Sequence, residues 1–211
     1  NLYSAHRYLN PPIARIILFG TLFVITVSSI AQPSAVSLFS KDSLTTAVLT
    51  TDVRTLIKSK YSEQEQPAKL QIVHGIGDTS SYDVEIRCRG NIRKEVCYYP
   101  SIRMKFDKKD FSYNKLKWVN VCDGEEDEYH LAKEYLPYKL YRNITEKSLD
   151  AYLVRMHYND TGDKDKSFTS YAFVIQNADE LAAQFNGRVH EPTILKESLL
   201  NQEYLAIFNF F

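Results

Sequence analysis

The sequence predicts an α+β fold, an antiparallel sheet with a packed central helix. Three observations point there. Runs that alternate apolar and polar residues fill most of positions 43–120. One run of helical period follows at about 129–145, and then a second pair of alternating runs at 150–176 reads as a hairpin. Strands grouped together, with helices set apart from them, are the pattern of α+β architecture rather than of alternating β-α-β units.

The first strand is "SLTTAVLTT", after which "TDVRTLIKSKY" reads as a helix. Thr51 or Asp52 can cap it, and Val53, Leu56 and Ile57 share one face. "AKLQIVH" and "YDVEIRCRG" form a hairpin around the turn "GIGDTS", with Val84, Ile86 and Cys88 on one face. "IRKEVCYYP" reads as a loop. Two strands follow, "SIRMKFD" and "KLKWVNVC". The acidic run "DGEEDE" then suits the entry of a helix, whose N-terminal end favours negative charge. As a calcium loop it lacks ordered ligand spacing. In "YHLAKEYLPYKLYRNIT", Leu131, Tyr135 and Tyr138 recur at helical spacing, with Leu136 and Leu140 one row over and Pro137 set to kink the helix. "DAYLVRMHY" and "TSYAFVIQ" make the second hairpin. "NADELAAQF" is a short helix capped by Asn177, and "LKESLLNQEYLAIFNFF" begins a longer one.

The chain of 211 residues carries 26 basic and 26 acidic side chains. That balance argues against a general nucleic-acid binder, which is basic over its whole domain. Near the start, Arg7 and Arg15 precede an apolar run from Ile16 to Ile30, with small residues at Ser29 and Ala31. This is the three-part pattern of a bacterial-type secretory signal. The run is too short for a membrane anchor, because fifteen helical residues rise only about 22 Å against a hydrocarbon core of about 30 Å. Residues 1–31 are therefore read as a signal peptide, with no membrane span after its cleavage. The chain begins with Asn and ends on an apolar run, so it reads as a piece of a longer frame.

An exported chain meets an oxidising compartment. Of Cys88, Cys97 and Cys122, the last two each lie beside a predicted strand end and are favoured as a disulfide. Cys88 alternates with Arg87 and Arg89 and so faces the core. No Cys or Cys/His ligand spacing suggests a metal.

The stretch from Glu85 to Trp118 gathers ten Lys or Arg against four acids. Even spacing sets Arg87 and Arg89 on one face of a strand and Arg103 and Lys105 on one face of the next. Paired strands would bring these like charges opposite each other, so either acids or a bound anion must neutralise them. Gly90 and Asn91 between them offer a tight turn with free backbone N–H groups, which favour phosphate. A solvated edge is the simpler role. His130 and Glu134, one turn apart, lack a third ligand and read as a surface pair. Tyr98 and Tyr99 could bind sugar, although packing is the simpler role.

The ordered series "IRCRGNIRKEVCYYPSIRMKF", "KLKWVNVC", "KEYLPYKLY", "VRMHY" and "YAFVIQNADELA" resembles the CotH kinase-like family, together with related exported bacterial proteins of unknown role that carry an RGN…YPxxRxxF pattern. The resemblance runs from about Leu70 to Ala183. It implies a protein-kinase small lobe over 32–176, followed at 177–211 by a linker and an incomplete helical second lobe. It also implies ATP and Mg as cofactors. On this sequence Arg89, Gly90 and Asn91 would form the phosphate turn, Lys105 or Arg103 would contact phosphate, and Glu134 would pair with Lys105. Gln176 and Asp179 would border the adenine linker. The family's metal and catalytic aspartates fall after the linker, where no Asp remains, so no catalytic residue is assigned and the fragment reads as inactive. Ile92 departs from the small hydroxyl residue common after RGN.

Two functions follow as expectations. One is an exported phosphoryl transferase in its complete form, with a nucleotide as ligand, in which Lys105 approaches Glu134. The other is a non-catalytic secreted or cell-surface module that holds a polyanion, in which Lys105 lies apart from any helix carboxylate.

Overall fold

The computed structural model describes residues 32–39, 43–123, 127–162 and 167–189. The signal segment and the helix expected over 195–211 lie outside them. Among these residues seven strands are present: β1 (Thr45–Thr51), β2 (Gln66–Gly75), β3 (Asp78–Cys88), β4 (Ile102–Lys105), β5 (Lys115–Asn120), β6 (Ala151–Asp160) and β7 (Phe168–Ile175). The helices are α1 (Val53–Lys58), α2 (Asn91–Val96), α3 (Glu128–Ile144) and α4 (Ala178–Gln184), with a short 3-10 turn at Ala35–Leu38.

The strands close into a barrel in the order β1-β2-β3-β4-β5-β7-β6. This corrects the expected α+β fold, an open antiparallel sheet with a central helix in the manner of a kinase small lobe. The difference lies in one joint. β6 pairs parallel to β1, with Ala47 opposite Met156 and Leu49 opposite Tyr158, while every other neighbouring pair is antiparallel. That seam removes both sheet edges. The longest helix, α3, packs outside the barrel against β6 and β7 rather than in its centre.

Alternation explains the interior. Ala47 and Leu49, Leu70 and Ile72, Ile86, Met104, Leu116 and Trp118, Val154 and Met156, and Val174 all point inward and are fully or almost fully buried. A barrel of this size fills with side chains instead of leaving a pore. The residues after the expected signal close one end. Ala35 and Val36 are buried, the backbone of Ala35 donates to Tyr113 O at 3.0 Å, and the Phe39 ring meets Trp118 edge-on at 5.8 Å.

A second, smaller core lies outside the wall. Leu131, Tyr135 and Tyr138 of α3 cover Val119, Phe173 and Ile175. Tyr135 and Tyr138 pack on Phe173 with ring centres 5.6 and 5.8 Å away. Leu136 and Leu140, the neighbouring row, are exposed. Local signals placed the helix starts: Asp52 accepts from Thr55 N at 2.8 Å at the head of α1, and Asn177 accepts from Asp179 N at 2.8 Å at the head of α4. The segment read as a loop contains α2, six residues entered through Gly90 in the left-handed region (φ 81°) with no side-chain cap. Among the described residues no helix is long and apolar enough to cross a membrane.

Cys97 and Cys122 form a disulfide, and Cys88 is a buried free thiol. The bridge fits an oxidising, extracytoplasmic environment.

Candidate functional site

The cationic residues of β3, β4 and β5 stand on the outer wall of the barrel. Inward Val84, Ile86, Cys88, Ile102, Met104, Leu116 and Trp118 force the alternate positions outward. Register then lines them up. Arg87 faces Arg103, and Arg103 faces Lys117; one step along, Glu85 faces Lys105, which faces Lys115. Adjacent strands are about 4.8 Å apart, so a row of three like charges is compressed into about 10 Å.

Carboxylates answer part of this charge. Glu63, in the loop before β2, pairs with Arg87 and lies 3.6 Å from Lys94. Lys105 Nζ donates to Glu65 at 3.1 Å and to Glu85 at 2.5 Å, and these bonds, Glu85 first, hold its ammonium above the ordinary value. Arg93, on α2, donates to Glu134 of α3 at 2.5 Å and to the carbonyl of Asn120 at 3.0 Å.

Arg89 is different. Its backbone donates to Ser101 O at 2.7 Å, which leaves its side chain diagonal to that of Arg103. Among the described residues its guanidinium has no hydrogen-bond or ion-pair partner, and neither has that of Arg103. Arg89 is half-buried. Burial pulls its pKa below the ordinary value; the Tyr138 phenol acts the other way, and the charges of Arg87, Arg103 and Arg93 deepen the fall. Burial raises the Tyr138 hydroxyl, with Arg89 opposing and Glu134 adding to the rise. A half-dry arginine among three others is a place of unmatched positive potential. Guanidinium forks bind the paired oxygens of phosphate, sulfate or carboxylate.

The structure therefore divides the expected site. Arg89 and Arg103 come together, and Gly90 and Asn91 adjoin them as the exposed turn into α2. Lys105 sits elsewhere, on the wall of an open depression of about 990 Å³ that also takes in Lys69, Asp83, Glu85 and Asp107 but neither Arg89 nor Arg103. Glu134 pairs with Arg93, not with Lys105. A kinase-type nucleotide site needs a lysine held by a helix glutamate. That pair is not assembled, so the residues present do not fit ATP and Mg in the manner the resemblance implies, and no phosphoryl-transfer step is derived from them. Gln176 is buried and accepts from Asp150 N at 3.2 Å, while Asp179 is exposed in the first turn of α4.

Arg93, Tyr138 and Glu63 belong to the site but escaped sequence reasoning. Arg93 lay in a six-residue helix without a capping side chain. Tyr138 read only as helix packing, and Glu63 as part of a polar loop. Cys122, Asp123 and Asp127 converge near the start of α3, but the Cys122 sulfur is in the bridge, which leaves two carboxylates engaged with the Tyr98 and Asp123 backbone N–H groups. His130 is exposed beside Tyr129. No protein-family model, curated protein or solved structure matches the chain.

Proposed function

We propose that this is an exported module, periplasmic, secreted or on the cell surface, that holds an anionic group of a larger ligand against the Arg89–Arg103 patch. The observation that carries the reading is the half-buried Arg89 guanidinium, which lacks a carboxylate partner among the described residues while Arg87, Arg93 and Arg103 crowd it. Burying an unmatched charge is costly. A bound oxyanion that bridges Arg89 and Arg103 relieves that cost and screens the row behind it. The Arg87–Glu63 and Arg93–Glu134 pairs stand at the rim with exposed carboxylates, so these arginines can turn toward a ligand with several charges. The resemblance to the CotH kinase-like family makes ATP one of the oxyanion ligands to test, although the lysine–glutamate pair it implies is not assembled here.

The test is calorimetric titration of the protein with phosphate, sulfate, a polyuronate and ATP, the last with and without magnesium. Replacing both arginines, R89M with R103M, is expected to weaken anion binding by at least about a hundredfold, since each charge-assisted hydrogen-bonding pair contributes about 1.5–3 kcal/mol. K105M is expected to leave it unchanged. Equal binding by wild type and the double variant would refute the proposal. Binding of ATP alone, dependent on magnesium and lost in K105M, would favour the nucleotide reading instead.

A further inference from the structure

A cavity of about 250 Å³ opens on the barrel wall beside the disulfide, lined by Tyr99, Asn120, Val121, Glu128, Tyr158, Phe168, Thr169 and Ser170. It shares no residue with the arginine patch, and nothing in the proposed anion binding uses it. We infer that this cavity takes a single pyranose unit of a neutral carbohydrate.

Its walls are preset. The Tyr158 hydroxyl donates to Asn120 Oδ1 at 2.6 Å, and Asn120 Nδ2 donates to Pro100 O at 2.9 Å, so the deep polar groups are spent on each other. Tyr99 is fixed from behind: its backbone donates to Cys122 O at 2.9 Å, and the Cys97–Cys122 bridge ties the two segments together. Thr169 Oγ1 is occupied by His157 Nδ1 at 2.6 Å. What remains unspent faces the opening. Among the described residues the Tyr99 hydroxyl, the Ser170 hydroxyl and the Glu128 carboxylate have no hydrogen-bond partner. An apolar wall with a few unsatisfied polar groups is the usual make-up of a small-ligand site.

Size and chemistry narrow the ligand. The volume is below the roughly 300–1,000 Å³ of sites for drug-sized molecules, so it suits one ring. Glu128 repels an anion, which sets this site apart from the arginine patch. A plain aromatic ring would cover the carboxylate and the two hydroxyls without pairing them, at a desolvation cost. A quaternary ammonium needs open ring faces. Here Phe168 lies 4.6 Å from Tyr158, stacked at 17°, and 4.6 Å from Tyr99, so the faces are taken up by each other. A pyranose suits what is left over: neutral C–H surface packs against the ring edges, which would repel a cation, and vicinal hydroxyls donate to a carboxylate and exchange bonds with Tyr99 and Ser170.

Trp118, the one tryptophan of the chain, neighbours Tyr158 inside the barrel and reports on the cavity. Its emission is followed while the intact protein is titrated with the methyl glycosides of glucose, galactose, mannose and N-acetylglucosamine, and separately with benzyl alcohol and tetramethylammonium. At least one glycoside is expected to bind saturably. E128Q is expected to weaken that binding by about tenfold and S170A by several-fold, with S170A leaving the melting temperature unchanged and E128Q lowering it only slightly, since among the described residues neither side chain makes a hydrogen bond and Glu128 loses only its attraction to the start of α3. The proposal fails if no glycoside binds, if benzyl alcohol or tetramethylammonium binds and the glycosides do not, or if glycoside binding survives both substitutions. Calorimetry of the same glycosides with R89M/R103M is expected to match wild type. A loss there instead would relocate sugar binding to the arginine patch and overturn the assignment to this cavity.

Discussion

Cys88 shows how a single inward position links a strand's alternation to the stability of the molecule. Its thiol is buried inside the barrel, with its sulfur 3.6 Å from the carbonyl of Leu56 in α1. Burial pushes its pKa up to about 11 from an ordinary 9.0, and nearby Lys94 and Lys60 offset only part of that rise. Above about pH 9 the unfolded chain therefore releases a proton that the folded chain keeps. The stabilisation is complete below that pH and drains away as pH rises from 9 toward 11. Two pKa units correspond to about 3 kcal/mol. Burial also raises the hydroxyls of Tyr152 and Tyr158, which act in the same direction above pH 10. C88A is thus expected to lose less stability than wild type between pH 8 and pH 10 in denaturant melts, and parallel losses in the two proteins would contradict the linkage. At the arginines the same alternation was readable directly. The outward placement of Arg87, Arg89, Arg103 and Lys105 follows from sequence period alone. Which acid answers which base does not, because Glu63, Glu65 and Glu134 reach them from a loop and a helix whose positions depend on the whole fold.

Among the elements, the loop from Tyr98 to Ser101 and the end of β5 are held together by three different means. Cys97 is bonded to Cys122 across a sequence separation of 25 residues, Tyr99 N donates to Cys122 O, and Asn120 Nδ2 donates to Pro100 O. Closing a loop of that length lowers the entropy of the unfolded chain by an amount equivalent to about 3 kcal/mol. Replacing both cysteines with serine is expected to lower stability by about that much in chemical denaturation, and the Tyr99 wall of the aromatic cavity is expected to become mobile first, seen as faster amide exchange at Tyr99 than in the wild-type chain. An unchanged denaturation midpoint would show that the hydrogen bonds alone hold the loop. Strands and caps in this part of the chain were legible because each depends on neighbours in sequence: the alternation in "SIRMKF", Asp52 three residues before Thr55, Asn177 two before Asp179. Helix α2 was not, since six residues with no capping side chain give too short a period to distinguish from a loop. In α3 the row that packs, Leu131, Tyr135 and Tyr138, and the row that does not, Leu136 and Leu140, are equally apolar. The contact with Phe173 decides between them.

For the whole molecule, each of the seven described strands was found in the sequence, but the closed barrel was not. A strand that alternates apolar and polar residues has one dry face, and the pattern is the same whether that face lines a barrel or covers an open sheet. The parallel β1–β6 pair joins residues more than a hundred positions apart and leaves no local trace. The plug at one end is similar. Phe39 touches Trp118 only after the barrel exists, and Ser34 Oγ donates to Glu180 at 2.6 Å across most of the chain. F39A is expected to destabilise the protein by about 3–5 kcal/mol and to shift Trp118 emission to longer wavelength as water reaches the open end. A stability loss below about 1 kcal/mol would mean that the segment merely rests on a barrel already closed without it. The β1–β6 seam also bears on how the molecule is made. In a chain that emerges from its N-terminus, β2 can cover one edge of β1 early, but the other edge must wait for β6, and until then its backbone donors and acceptors are open to any passing strand. Assembly is therefore expected to be slow and non-local, and dependent on partners that shield that first strand until its mate emerges.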